Sequence, residues 1–441
     1  MVAREMSPQD SLWLELDRPS NLMVITSLLW TATPIDPDRL RALLRERLLA
    51  RYPVFRQRPV LHDGVLRSGS WVDDDDFDLD RHLVVGTVPA PGDQAALQAF
   101  VGAQRGTPLD LAHPLWRVHL LQGYRGGSAL VQRYHHAMAD GVRLTQVMLG
   151  LLDPVDGEDV TLSARVGRRS PVTPLPEPAG SGMSLLRTLG SLVKIALWSN
   201  PDSVLDGRPG VAKSVAWTEQ VPLDALSRMA HATGTTVNDV CTTLVAGAVS
   251  RYLDDAPLGR RSMRPGDDDL AWMVPVNLQA ADREPPPELG NHFALVLAVL
   301  PHGPAGFRER LAEVHRRMVR IRQSWEPVLT YGMAWGIARS PSVLGTAASR
   351  FMADKAVGVL TNVPGPREPM AIAGARVEGT VAWAPCSGHQ GLTVCIFSYG
   401  GGVTFGFGTD DAVLPDPDLL VAALGAELAA AEHAVLGSAV G

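Results

Sequence analysis

Lysine is almost missing from this chain: Lys194, Lys213 and Lys355 are the only three among 441 residues, and arginine supplies the rest of the basic charge. Even so, 47 acidic residues outnumber 40 basic ones, for a formal net charge of −7. A phosphate backbone is bound by a basic surface, so this balance argues against a nucleic-acid-binding protein. Cysteine is scarce too. Cys241, Cys386 and Cys395 include no CxxC pair, which points to reduced thiols buried as small hydrophobes in a cytoplasmic protein. The longest apolar run, about Phe293 to Leu300, falls far short of the ~18 residues that span a bilayer. The segment Met1 to Asp10 has no apolar h-region, so no secretory signal is read. There is no GxSxG elbow and no cysteine in a nucleophile context, which removes the usual covalent hydrolase readings. His113, His292, His302 and His389 lack HExxH spacing, and the acidic run Asp73 to Asp76 lacks the glycine of a calcium loop. No metal and no resident cofactor are expected.

What is present is an alternation of strand-like and helix-like runs too long for one core, so two α/β domains are expected. Met23 to Trp30 is β-prone, and Asp36-Pro37-Asp38 opens a helix with a capping acid followed by proline. Phe77-Asp78-Leu79-Asp80 alternates as a half-buried strand would. Residues 165–214, rich in proline and glycine at first, read as a crossover linker between a domain at 1–164 and another at 215–441. Within that crossover, Leu185 to Trp198 keeps helical spacing and could either pack on a domain or lie on a lipid surface. Farther on, Val237 to Asp255 and Phe307 to Trp325 read as helices, and Leu270 to Leu278 as a strand. Leu392 to Phe397 and Val403 to Gly408 flank a glycine turn as a hairpin would, and Asp416 to His433 reads as a closing helix.

The most informative segment is His135-His136-Ala137-Met138-Ala139-Asp140-Gly141, where a strand-like run ending at Tyr134 gives way to a helix-like run from Val142. A neutral imidazole has an ordinary pKa of ~6.5 and suits general-base work near neutrality. Acyl transfer from a thioester needs little more than such a base and a donor for the oxyanion, because the thiolate already leaves well. The pattern HHxxxDG resembles the signature of the chloramphenicol-acetyltransferase-like superfamily. That resemblance implies His136 as base, His135 as its structural neighbour, Asp140 paired with an arginine away from substrate, and Gly141 keeping a channel open.

Further segments narrow the resemblance. Pro114-Leu115-Trp116, Asn238-Asp239 and Thr361-Asn362-Val363-Pro364-Gly365-Pro366 are similar to motifs of the bifunctional wax ester synthase and diacylglycerol O-acyltransferase family. Met6-Ser7-Pro8-Gln9-Asp10, Gly290-Asn291-His292 and Ser398-Tyr399 look like it as well, so the likeness runs along nearly the whole chain. It implies two chloramphenicol-acetyltransferase-like domains, each a mixed sheet with helices, and a substrate tunnel at their interface. It also implies an acyl-CoA-dependent O-acyltransferase that makes wax ester or triacylglycerol, visiting a membrane or lipid-droplet surface. Asn238 could stabilise the oxyanion or cap its helix. Pro114, Leu115, Trp116, Asp239, Thr361 and Asn362 are candidates to border substrate, although a tryptophan and a leucine at a strand start usually serve packing. Two other readings stay open: a condensation-type enzyme taking acyl groups from carrier proteins, and a non-catalytic lipid-binding protein.

Overall fold

The computed structural model describes residues 3–62, 64, 68–155, 197–255, 268–277, 285–291, 293–303, 305–324 and 326–437. Within them the strands form two seven-stranded sheets and one small three-stranded sheet.

The first large sheet is built on Val24–Thr31, which pairs antiparallel with Gly127–His135 so that Val24 lies opposite His135. Gly127–His135 is in turn the second arm of a hairpin with Trp116–Tyr124. Its two loop residues, Arg125 and Gly126, have φ of 48° and 83°. Two left-handed residues in a row are what a tight hairpin needs to match the strands' twist. Every residue of Gly127–His135 is buried. The catalytic candidates therefore follow a strand that is covered on both faces and held on both edges.

The second large sheet is mixed. Gly358–Pro364 runs parallel to both Asp269–Asn277 and Leu392–Tyr399, while the hairpin Leu392–Tyr399 with Gly402–Asp410 is antiparallel. Helices Val237–Asp255, Phe307–Arg322 and Asp418–Val435 cover it. Leu244, Val249, Leu311, Val314, Leu420 and Leu424 meet Trp272, Phe405 and Phe407 in its core.

The halves are not simply consecutive. Ala375–Trp383, far along the chain, leaves the second sheet and pairs with Val24–Thr31 of the first, with Met370–Ile372 beside it. Trp383 from this strand packs with Trp30 and Trp217 in a core between the sheets. A second tie joins Ala139 to Gly290 as an isolated parallel bridge. Gly290 has φ of 78°, a conformation that favours glycine.

Most elements expected from sequence are present, with one clear correction. Phe77 to Asp80 is not a strand: Asp78 caps the short helix Leu79–His82 by accepting from Asp80 N–H at 3.0 Å. The alternating acids serve a helix start rather than a sheet face. The crossover helix expected at Leu185 to Trp198 lies outside the described residues except at its end. There Trp198 is half-buried, and its Nε1 donates to Asn200 Oδ1 at 3.0 Å.

Candidate active site

The two histidines sit on opposite sides of one physical argument. His135 Nδ1 accepts the Ala137 N–H at 3.1 Å. Its proton is therefore on Nε2, which faces Asp17 Oδ2 at 3.8 Å. His136 is arranged the other way. Its Nδ1 lies 2.9 Å from Asn291 Oδ1, while Asn291 Nδ2 donates to Asp10 Oδ1 at 2.8 Å and to the His136 carbonyl at 2.9 Å. Since the Asn291 amide spends its donors elsewhere, its oxygen must accept from His136 Nδ1. The lone pair of His136 is thus on Nε2.

Both rings are buried, His135 at 1% and His136 at 7% exposure. Trp13 stacks on His136 with centroids 4.1 Å apart and planes 23° from parallel. Burial holds the His136 imidazole down to about 4, partly offset by its bond to Asn291. Burial likewise pushes the Asp10 carboxyl up to about 6, against the bond from Asn291. His136 is therefore a neutral imidazole across the ordinary working range.

Asp140 is buried and caps helix Gly141–Leu149, accepting the Arg143 N–H at 2.8 Å. Its backbone N–H bonds Gly290 O at 3.3 Å. Its side chain thus shapes the loop that carries His136. A Cβ added at Gly141 would meet nothing within 4 Å. Contact with the protein itself does not demand glycine there.

The remaining candidates divide into those that line a surface and those that do not. Leu115 and Trp116 are buried at 0% and 1%, beside a buried Pro114. Trp116 packs edge-on against Phe55 at 5.7 Å, stacks with His82 at 4.6 Å and donates Nε1 to Phe55 O at 2.9 Å. Leu115 O accepts the His135 N–H at 2.9 Å. The segment braces the histidine strand. Asp239 is engaged within the protein in the same way. It is 0% exposed, bonds Thr236 N–H at 3.1 Å and meets His315 Nδ1 at 2.7 Å, an arrangement that fixes the start of helix Val237–Asp255. Thr236 is the capping residue there, accepting from Asp239 N–H at 3.2 Å.

Asn238, one residue from Asp239, is half-buried and accepts from Asn362 Nδ2 at 2.8 Å. Sequence placed these two asparagines 124 residues apart; the fold makes them a pair. With its oxygen occupied by Asn362, the Asn238 amide turns its Nδ2 donors away from that partner. Thr361 precedes Asn362 on the same strand and is half-buried. Asn291, Asp10 and Trp13 carried no assigned role in the sequence reading. The signal available was that Asp10 and Asn291 lie in segments resembling the family's own.

Two sheet-and-helix lobes with HHxxxDG at the strand end beside their seam define a chloramphenicol-acetyltransferase-like acyltransferase. Residues 6–195 match the model of the wax ester synthase/diacylglycerol acyltransferase catalytic domain, and residues 289–432 match that of the same family's C-terminal domain. The chain belongs to this family. It is similar to a putative diacylglycerol O-acyltransferase of Mycobacterium tuberculosis, 29% identical over 91% of this chain and 93% of the relative. A probable diacylglycerol O-acyltransferase of the same organism is 28% identical over 98% and 99%. In fold it is similar to the wax ester synthase/diacylglycerol acyltransferase from Marinobacter aquaeolei, with a TM-score of 0.72 at 24% identity and coverage of 98% and 99%. It is also similar to the first condensation domain of the calcium-dependent antibiotic synthetase, with a TM-score of 0.64 at 18% identity, covering 98% and 96%.

Proposed function

We propose that this chain esterifies a long-chain alcohol or a diacylglycerol with the acyl group of an acyl-CoA, and that His136 Nε2 is the general base. The observation that carries this is the hydrogen-bond pattern at His136. A neutral ring whose Nδ1–H is committed to Asn291 presents a basic Nε2. The acceptor hydroxyl gives its proton to Nε2 while its oxygen bonds to the thioester carbonyl carbon. The tetrahedral intermediate then collapses, the carbon–sulfur bond breaks, and the imidazolium returns the proton to the departing thiolate. The products are an ester and free CoA thiol. No nucleophile on the enzyme and no cofactor take part.

Asn238 is the side chain we assign to the oxyanion, with its amide oriented by Asn362. Such a donor typically contributes ~3–4 kcal/mol. Gly141 borders the space through which the substrate passes, which accounts for a glycine that the protein's own packing does not require. The two substrates enter a tunnel along the seam, acyl-CoA from one end and the acceptor from the other. The family match favours CoA over a carrier protein as donor.

Among the described residues no helix is long and apolar enough to cross a membrane. Apolar acceptors are instead collected at a lipid surface. Trp335, Val343, Leu344 and Phe351 are exposed on the consecutive helices Glu326–Arg339 and Ser342–Ala353. Between Pro327 and Ala353 the only charges are Arg339 and Arg350, in a chain that is acidic overall. An apolar face with aromatic side chains and no acid suits an anionic lipid surface.

The direct test is release of CoA thiol from palmitoyl-CoA, with and without hexadecanol or dioleoylglycerol. Acceptor-dependent release that disappears in His136→Ala is expected. Equal release in that variant would refute the assignment. Replacing Trp335 and Phe351 by serine should reduce flotation with anionic liposomes, and unchanged flotation would remove the lipid-facing role.

A further inference from the structure

The base is served by residues from three separate places in the chain. Asp10 comes from helix Pro8–Leu16, His136 follows the strand Gly127–His135, and Asn291 belongs to the second half. Asn291 touches His136 twice, through its oxygen to ring Nδ1 at 2.9 Å and through its nitrogen to the backbone carbonyl at 2.9 Å. One amide therefore fixes both the ring's rotation and the residue's main chain. The same nitrogen donates to Asp10 at 2.8 Å. The bonds to Asp10 and to the His136 carbonyl together decide which way the amide faces. Turned over, the asparagine would set its oxygen against both acceptors and offer its NH2 to Nδ1, placing the imidazole proton on the wrong nitrogen.

Asp10 is 2% exposed and Asn291 7%, so neither bond competes with bulk water. Asn291 is itself anchored by Gly290, whose N–H donates to Met138 O and whose carbonyl accepts from Asp140 N–H, each at 3.3 Å. The positioning amide is thus delivered only when the second half is docked on the histidine loop.

We infer that Asp10 and Asn291 are the positioning residues of the reaction, a carboxyl–amide–imidazole relay that sets the tautomer of His136 and stabilises its imidazolium. This rests on the reading of His136 as base. When Nε2 takes the acceptor's proton, positive charge spreads over the ring and Nδ1–H becomes a stronger donor. The Asn291 oxygen, polarised by Asp10 through the amide, accepts that stronger bond. An amide in this place favours the cation less than a carboxylate would. The ring therefore stays neutral at rest yet is supported in the transition state. Trp13, stacked at 4.1 Å, holds the ring plane from the side.

The experiment uses the full chain with 15N-labelled histidine, assayed with palmitoyl-CoA and hexadecanol. In the unaltered protein, His136 should show the Nδ1–H tautomer by long-range 1H–15N correlation. Asn291→Leu, which nearly keeps the volume and removes the bonds, should lower kcat roughly 10- to 100-fold with KM within about twofold, and should lose that tautomer signature. Asn291→Asp keeps an acceptor. It should recover most of kcat and move the acid limb of the kcat profile upward by about one pH unit. A folded Asn291→Leu with normal kcat and an unchanged tautomer would overturn the inference. If Asn291→Leu does not fold, an unmoved acid limb in Asn291→Asp would overturn it equally. Failure of the underlying reading is separate: it would appear as full turnover in His136→Ala, whatever the Asn291 variants do.

Discussion

Asp239 meets His315 directly, with 2.7 Å between carboxylate and Nδ1, whereas Asp10 reaches His136 only through the amide of Asn291. The two groupings contain the same kinds of side chain and do opposite work. The direct bond between carboxylate and imidazole ties the helix Phe307–Arg322 to the start of Val237–Asp255. An interposed amide orients the ring without charging it. The comparison teaches that an acid and an imidazole can tie two helices together by direct contact or, with an amide between them, set which ring nitrogen carries the proton.

That contrast is broken most severely by exchanging the histidines' fates. His136→Ala should lower acceptor-dependent CoA release by about 10³-fold or more, with little change in Tm. His315→Ala should do the reverse, lowering Tm by several degrees while the folded protein keeps turnover within about twofold. Next in size is Asn238→Ala, expected to lower kcat roughly 10²-fold without unfolding the protein. Unchanged kcat would take Asn238 out of the site. Gly141→Leu sharpens the question of space. Since no protein atom lies within 4 Å of the added Cβ, Tm should hold while KM for palmitoyl-CoA rises about tenfold.

The smallest effect expected is on pH dependence. In the role proposed for it, His136 works when neutral, and burial holds its pKa down to about 4. The acid limb of kcat/KM in the free enzyme should therefore lie well below the ordinary 6.5, with activity retained at pH 5. Asp10 has the opposite sign for stability. Its pKa is raised from 3.8 to about 6, so its contribution is complete below 3.8 and is lost as pH rises through about 6. Asp10→Asn stays neutral throughout. Its Tm relative to the unaltered protein should accordingly climb by a few degrees between pH 4 and pH 7. A constant difference across that range would show that Asp10 does not titrate as its burial implies.

Local chemistry made much of this legible in the sequence. The heptapeptide at a strand end, the buried helix Val237–Asp255 and the hairpin around Gly400 and Gly401 follow from periodicity and turn residues. Asp78 is ambiguous in sequence because an acid alternating with apolar residues fits a strand face and a helix cap equally well; only the bond to Asp80 N–H separates them. The Asn238–Asn362 pair and the grip of Asn291 on His136 span 124 and 155 residues, distances over which spacing carries no geometric information. Leu115 and Trp116 carried a family motif, and three-dimensional placement shows that part of such a motif can be bracing. The pairing of Ala375–Trp383 was likewise invisible, because alternation announces a strand without saying which sheet receives it.

That borrowed strand limits how the two lobes can move. The chain departs the second sheet after Pro364, is sewn between partners in the first, and returns at Leu392. Any breathing of the seam is leashed by two short spans, residues 365–369 and 384–391. Wide hinge-like gaping would have to rip backbone pairs from Val24–Thr31. A tunnel along that seam, as proposed, would have to be threaded with the joint closed.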